Sequence, residues 1–241
     1  RRTRAQDPQL SGRRRWRPPE DRDRYVVRAM LRVPGRQSLR DLSTLRVGLF
    51  TDTYDEINGV GRFLRNIESA ARDSRRRLVI HTCCEESGSA DLAHGSLRKN
   101  FQPLLSRPLP YYPQLKLGLP PVLEILEWAD RQQFDAIHVS TPGPMGLCGW
   151  LVAKMLRVPM LATYHTDFPA YVERLSGDHR ISGGTVRYIS WFYNQAQTVF
   201  LRSSAYRFKL LDLGVREDRL ATILPAIDRQ QFSPRHRDVN A

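Results

Sequence analysis

Short apolar runs alternate with longer segments of helical periodicity along most of the chain. Runs rich in Val, Ile, Leu and Phe that end in polar residues predict buried strands. They span 46–50, 77–83, 134–140, 158–164, 198–201 and 221–224. Between them, apolar residues recur at helical spacing from Val60, after Pro120-Pro121, from Leu147, from Val186 and after Ser203 or Ser204. This alternation predicts one doubly wound parallel sheet of the α/β class.

The loop Thr51–Gly61 follows the first strand and opens onto a helix with Val60, Phe63 and Leu64 at helical spacing. In an open α/β sheet, ligands bind outside the carboxyl ends of the strands. Backbone N–H groups at a helix N-terminus also favour a phosphate. We therefore predict a binding site at this loop.

Two other interpretations of this loop stay open at the level of sequence. Asn58-Gly59 is typical of a type I′ hairpin turn, although helical rather than alternating periodicity follows it. Gly59–Leu64 also matches part of a dinucleotide-binding pattern, with Glu85 and Glu86 near the position of the ribose-binding acid. Its glycines, however, lie too far beyond the strand for the tight turn of that motif.

Polar residues follow several predicted strands and should meet at one edge of the sheet. The residues collected there are Asp52, Tyr54, Asn58 and Gly59, then Thr141-Pro142-Gly143, then His165-Thr166-Asp167. A histidine just beyond an apolar strand can exchange a proton or a hydrogen bond with an anionic or sugar ligand. A purely structural histidine is the alternative for His165.

Other titratable residues are less clearly placed by the sequence. Asp52 and Asp167 form a hypothetical carboxylate pair for acid–base work, although sequence spacing does not show that they meet. His138 lies inside a predicted strand and is expected in the core, whereas His81 is undecided.

The sequence carries no motif of several common enzyme classes. There is no Gly-x-Ser-x-Gly elbow, Walker loop or metal-ligand cluster to support a hydrolase, a nucleotide triphosphatase or a metalloenzyme. Cys83, Cys84 and Cys148 form neither a disulfide framework nor a zinc pattern, and reduced cysteines fit a cytoplasmic protein. No apolar run has the length of a membrane span.

The net charge of +13 is concentrated near the start of the chain, where residues 1–46 hold 14 Arg against 5 acidic residues. Residues 1–44 are predicted to be an Arg-rich tail or linker, or the end of an upstream domain. Attraction to a membrane surface is a second interpretation, and nucleic acid is the least expected partner. Because the chain starts at Arg1, it is expected to be a piece of a longer product.

Four segments together resemble the N-terminal domain of glycosyltransferase family 4. They are Asp55–Val60, Pro108–Pro120, Thr141–Gly146 and Tyr164–Tyr171, and the last is the most specific. The resemblance covers about residues 45–234. It is strongest to the bacterial mannosyltransferases and the sulfoquinovosyl- or glucosyl-diacylglycerol synthases of that family.

The resemblance implies the Rossmann-like N-terminal half of a GT-B enzyme, with the active site in a cleft between two such domains. Such an enzyme needs no metal or cofactor and transfers a sugar from a nucleotide-diphosphate sugar, with retention of configuration, to a lipid or glycan. His165 would lie beside the transferred sugar, with Asp167 as the other catalytic residue. The donor- or acceptor-binding residues would be Asp52, Tyr54, Asn58, Gly59, Val60, Thr141, Gly143 and Tyr164.

The sequence departs from the family in its C-terminal part. We expect this chain to lack the donor-binding domain, with its paired glutamates, and residues 235–241 to be the start of the interdomain linker. Ala226 also stands where the family usually has glycine. We therefore expect that this chain alone binds nucleotide sugar weakly or not at all and transfers nothing. A non-catalytic binding or scaffold module with a degenerate version of this fold is the alternative.

The proline-rich segment 102–112 is expected to be extended, and apolar residues follow it. Tyr111, Tyr112, Leu115, Leu117 and Leu119 form a candidate amphipathic edge for peripheral association with the inner face of a membrane. The alternative is that these residues pack in the core.

Overall fold

The computed structural model describes residues 45–85, 90–91, 97–109, 112–176 and 179–223. The Arg-rich tail predicted at 1–44 and the start of the interdomain linker predicted at 235–241 lie outside the described residues. The domain boundaries assigned from sequence therefore stay predictions.

Ten strands are described, in one large sheet and one hairpin. The strands are β1 Arg46–Phe50, β2 Arg77–Thr82, β3 Ala90–Asp91, β4 Leu97–Asn100, β5 Leu105–Leu109, β6 Tyr112–Leu119, β7 Ala136–Val139, β8 Met160–Tyr164, β9 Thr198–Leu201 and β10 Leu220–Thr222. The large sheet has the order β10-β9-β8-β7-β1-β2-β4-β3. Its neighbours are parallel except for the β3–β4 pair. β5 and β6 pair with each other in an antiparallel hairpin.

Helices connect the strands and cover the sheet. They are α1 Gly59–Asp73, α2 Val122–Gln132, α3 Pro144–Leu156, α4 Phe168–Ser176, α5 His179–Tyr193 and α6 Ala205–Asp212. A short 3₁₀ turn, Glu217–Arg219, precedes β10. The predicted β/α alternation and the α/β class are therefore confirmed.

The structure also differs from the sequence-based prediction in several elements. β4 was missed because its sequence, LRKN, lacks the apolar run of a central strand. α3 begins at Pro144 rather than at Leu147, since proline at the first helical position is compatible with the helix. α4 was not predicted, and α5 begins at His179 rather than at Val186.

The strand order reverses between β1 and β7. From β1 the sheet continues through β2 and β4 on one side and through β7, β8, β9 and β10 on the other. Phe50 at the end of β1 is in register with Val139 at the end of β7. In doubly wound sheets this reversal leaves a crevice outside the strand ends, where ligands bind. The loops after β1 and β7 therefore flank the expected binding crevice.

Alternation of side chains along β1 separates two buried cores. Leu49 packs in the cluster of α1 with Phe63 and Leu64. Phe50 points to the other face, where Cys148 of α3 also lies. A Cβ atom on Gly149 would lie 2.9 Å from Phe50 Cγ, so α3 packs this closely because it has glycine there.

The undecided His81 lies in the core. Its ring is fully buried and stacks on Phe50 with ring centroids 4.2 Å apart, and its Nδ1 lies 3.2 Å from the carbonyl oxygen of Leu49. Burial lowers the pKa of His81 to about 3. His138 is half-buried in β7, with Nε2 2.8 Å from Thr163 Oγ1, as expected for a histidine packed on the sheet.

The buried His81 predicts a loss of stability in mild acid. The unfolded chain takes up a proton at this residue near pH 6.5, whereas the folded chain does so only near pH 3. Between these values the free energy of unfolding should fall as the pH falls, by up to about 1.4 kcal/mol per pH unit from this group. Urea unfolding between pH 4.5 and 7.5 should give a shallower pH slope for His81→Phe than for the wild type. Equal slopes would contradict this assignment.

Candidate functional site

The carboxyl ends of four neighbouring strands bring polar side chains to one rim of the sheet. Asp52 follows β1, Thr141 follows β7, His165 follows β8 and Arg202 follows β9. The rim contains the strand-order reversal, which makes it the candidate site.

Asp52 is held by the start of α3. Its Oδ1 accepts a hydrogen bond of 2.9 Å from Met145 N, and its Oδ2 accepts one of 2.6 Å from Thr141 Oγ1. The cap residue of α3, Gly143, has no side chain to satisfy the helix N-terminus, so Asp52 supplies the cap from the loop after β1. Burial raises the pKa of Asp52, and these hydrogen bonds act in the opposite direction.

The glycines of the β7–α3 turn allow this contact. A Cβ atom on Gly143 would lie 2.4 Å from Asp52 Oδ2, and one on Gly146 would lie 2.0 Å from the carbonyl oxygen of Thr141. Asp52, Thr141 and Gly143 were predicted to bind donor or acceptor. The structure shows that they contact one another, while direct contact with a ligand stays a prediction.

Asn58 caps α1. Its extended backbone, with φ of −137°, excludes the left-handed geometry of a type I′ turn. Its Oδ1 accepts hydrogen bonds from Val60 N at 2.9 Å and Gly61 N at 2.8 Å. The predicted phosphate-binding N–H of Val60 is therefore already engaged, whereas Gly59 is exposed with open space around it.

Both tyrosines predicted to bind donor or acceptor are buried in the core, and direct contact with a ligand stays a prediction for them. Tyr54 packs under α1 and donates its hydroxyl hydrogen bond to Glu68 Oε2. Burial, followed by the neighbouring Glu68, raises the pKa of Tyr54 to about 12. Tyr164 is fully buried, and its hydroxyl donates to Asp167 Oδ1 at 3.3 Å. These side chains support the rim from beneath.

Asp167 belongs to a network separate from that of Asp52. It pairs with Lys209 of α6, and its Oδ1 accepts from Ala170 N at 3.4 Å in the first turn of α4. The hypothetical pairing of Asp52 with Asp167 gains no support, since each carboxylate has its own partners. A catalytic role of Asp167 stays a prediction.

His165 is the predicted residue best placed for chemistry. Its Nε2 lies 3.1 Å from Ser140 Oγ, and its ring meets Phe63 edge-on with centroids 5.0 Å apart. Its Nδ1 is buried without a hydrogen-bond partner in the described part of the chain. Burial, helped by the nearby His138 and Arg202, lowers the pKa of His165 to about 3. The imidazole is therefore neutral near pH 7 and carries one donor and one acceptor nitrogen.

Sequence reasoning missed three residues of this rim: Phe63, Ser140 and Arg202. The guanidinium carbon of Arg202 lies 5.0 Å from the centre of the Phe63 ring. The available signal for Arg202 was its position, since it directly follows a buried strand, as His165 does.

Comparison with known proteins identifies the family. A family model described as Glycosyltransferase Family 4 matches residues 57–231, well over half of the chain. The chain belongs to glycosyltransferase family 4. Within the match lie α1 with its cap residue Asn58, the β7–α3 turn and the His165 segment, whereas Asp52 precedes it.

Three curated relatives illustrate the likeness. The alpha-monoglucosyldiacylglycerol synthase of Streptococcus pneumoniae is 25% identical over 73% of this chain and 39% of its own length. A sulfoquinovosyl transferase of Arabidopsis thaliana is 30% identical over 55% of this chain and 26% of its own length. A GDP-mannose-dependent alpha-mannosyltransferase of Mycobacterium tuberculosis is 26% identical over 80% of this chain and 50% of its own length. The chain thus spans half or less of these relatives.

Solved structures show the same fold at low identity. HepE of Anabaena, in complex with UDP and glucose, matches 79% of this chain and 48% of its own, with a TM-score of 0.53 and 17% identity. Sucrose-phosphate synthase of Thermosynechococcus elongatus matches 79% of this chain and 50% of its own, with a TM-score of 0.60 and 12% identity. The expected fold, the Rossmann-like N-terminal half of a GT-B glycosyltransferase, is confirmed.

The cap at Asp52 predicts opposite effects for two glycines. Gly143→Ala should destabilise the fold by about 1–3 kcal/mol, because its methyl group would overlap the Asp52 carboxylate. Gly59→Ala is the matched control at the start of α1, and it should be neutral or stabilising by up to about 1 kcal/mol. Urea unfolding of both variants measures the difference. Equal effects would show that Gly143 is not tightly packed.

Proposed function

We propose that this chain is the acceptor-side half of a retaining glycosyltransferase. The reaction moves a sugar from a nucleotide-diphosphate sugar, GDP-mannose or a UDP-hexose, to a lipid or glycan acceptor. Support comes from the family and from relatives named alpha-monoglucosyldiacylglycerol synthase and GDP-mannose-dependent alpha-mannosyltransferase. The structure of HepE in complex with UDP and glucose adds to it. The observation that carries the proposal is the neutral His165 at the rim of the strand-order reversal.

The chemistry proposed for His165 follows from its neutral state. A neutral imidazole donates one hydrogen bond to a sugar hydroxyl and places no full positive charge beside an oxocarbenium-like sugar. In the transition state the leaving diphosphate gains negative charge, and preorganised donors aimed at it lower the barrier. In this proposal such donors stabilise the negative charge of the leaving diphosphate, and no metal ion is required.

We propose that transfer requires a second, donor-binding domain in addition to residues 45–234. The chain spans half or less of its curated relatives. The 241-residue chain by itself is therefore proposed to bind nucleotide sugar weakly and to transfer nothing. Specificity for the sugar and the nucleotide would lie largely in that other domain.

A non-catalytic binding module is the second candidate function. The side chains of Asp52, Asn58 and Tyr164 form hydrogen bonds within the protein, which leaves few polar groups at the rim open to a ligand. This observation favours the binding module. A turnover measurement separates it from the transferase.

Peripheral membrane binding is proposed from an apolar surface at the β5–β6 hairpin and α2. Leu104, Leu105, Leu119 and Leu123 are 71%, 51%, 53% and 78% exposed. Leu105 is in register with Leu119, and the exposed Arg107 lies on the same hairpin. Such an apolar edge beside a cation fits the inner face of a membrane. Of the predicted edge, Tyr111 and the side chains of Tyr112, Leu115 and Leu117 lie outside the described residues.

In the part of the chain that the structure describes, no helix combines the length and the apolarity that a membrane span requires.

Turnover by a two-domain protein tests the transferase proposal. The protein is the natural longer product, or the present chain joined after Pro234 to a related C-terminal domain. His165→Ala should lower kcat by about 10²–10⁴-fold, because it removes a hydrogen bond made in the transition state. His138→Gln is the control, since this histidine bonds to Thr163 within the sheet, and its rate should stay within a few-fold.

The outcomes separate the two candidate functions. Unchanged turnover in a folded His165→Ala protein would remove His165 from the site. Absence of turnover with every nucleotide sugar would support the binding module instead.

Vesicle binding tests the apolar surface. The double variant Leu105→Gln, Leu123→Gln should lose most sedimentation with diacylglycerol-containing anionic vesicles, whereas Met155→Gln, Phe208→Gln should bind like the wild type. The control residues are comparably exposed, at 60% and 70%, on other helices. The difference should persist in about 0.5 M salt, which screens the Arg-rich tail. Equal binding by both double variants would exclude this surface.

A further inference from the structure

Arg202 lies beside His165 at the rim. Tyr164 and Leu201 are the last paired residues of β8 and β9. His165 directly follows β8, and Arg202 directly follows β9. Tyr164 and Leu201 both point into the core beneath α3 and α5. The alternation of strand side chains therefore directs His165 and Arg202 to the opposite face, toward α1.

Phe63 of α1 fixes both side chains. Its ring is 6% exposed, stacks under the Arg202 guanidinium at 5.0 Å and meets the His165 ring with centroids 5.0 Å apart. A guanidinium held over an aromatic face keeps its N–H edge available for a planar anion. Phe63 thus orients a cation and a neutral imidazole side by side.

The charge of Arg202 is not compensated locally. Its Nε is buried without a hydrogen-bond partner, and no carboxylate of the described segments forms an ion pair with it. Asp52 and Asp167 follow other strands of this rim and have partners of their own, Asp52 at the start of α3 and Asp167 with Lys209. A half-buried cation without a counter-ion is costly, and a bound anion would offset that cost.

We propose that Arg202 binds a phosphoryl group of a substrate and holds it next to His165. This inference rests on the proposed transferase function and names a chemical group of its substrate. The phosphoryl group has two sources, the diphosphate of the sugar donor or the phosphate of an anionic lipid acceptor. In either case the planar guanidinium binds two of its oxygens.

Ligand titration of the 241-residue chain tests this proposal. Inorganic pyrophosphate represents the donor diphosphate, and glycerol 3-phosphate represents a lipid headgroup. The His165 imidazole signals, followed by NMR near pH 7, should shift saturably with at least one of them. Arg202→Gln should weaken that binding at least tenfold, and Arg202→Lys, which keeps the charge but not the fork, should weaken it by a few-fold.

Arg207→Gln is the matched control. Arg207 lies in the first turn of α6 and pairs with Glu217 at 2.7 Å, so its loss should leave phosphate binding unchanged. Tighter binding of one probe identifies the source of the phosphoryl group. The proposal is overturned if neither probe shifts His165, or if folded Arg202→Gln or Arg202→Lys binds like the wild type. Those results would not affect the turnover test of the transferase proposal. If the two-domain protein shows no turnover but the phosphate probes still bind through Arg202, Arg202 remains an anion-binding residue of a non-catalytic module.

Discussion

The contact between Asp52 and the start of α3 is the constraint on which the candidate site depends. One carboxylate satisfies a helix N-terminus that has only glycine at its cap position, and it joins segments about ninety positions apart in sequence. It does so across the reversal in strand order. Because the same residue anchors the loop after β1 and the turn after β7, both walls of the crevice are held in place before any ligand arrives.

The sequence predicted those parts of the fold that are buried on both sides. Strands such as β1, β8 and β9 are continuous apolar runs because helices cover both faces of the sheet. Elements near the edge carry no such signal. β4 has the sequence of a polar loop, so tertiary contacts rather than local pattern decide its conformation. α4 begins at Phe168-Pro169 and was not predicted, although its apolar residues recur at helical spacing.

The location of the candidate site could be predicted better than the roles of its residues. Asp52, Thr141 and His165 do meet at one rim, as the ends of parallel strands must. Whether an Asp or Asn side chain binds a ligand or caps a helix depends on which N–H groups face it, and sequence spacing carries no such information. Arg202 and Phe63 were missed for the same reason, since their significance comes from a contact between distant elements.

The cap at Asn58 has a consequence for any ligand that approaches α1. The side-chain oxygen of Asn58 already accepts hydrogen bonds from two N–H groups to which a phosphate would bind, so a phosphate would have to displace it. A cap of this kind is worth about 1 kcal/mol, equivalent to roughly a fivefold loss of affinity. That competition favours ligands with a further point of attachment, and discriminates against free phosphate at this helix.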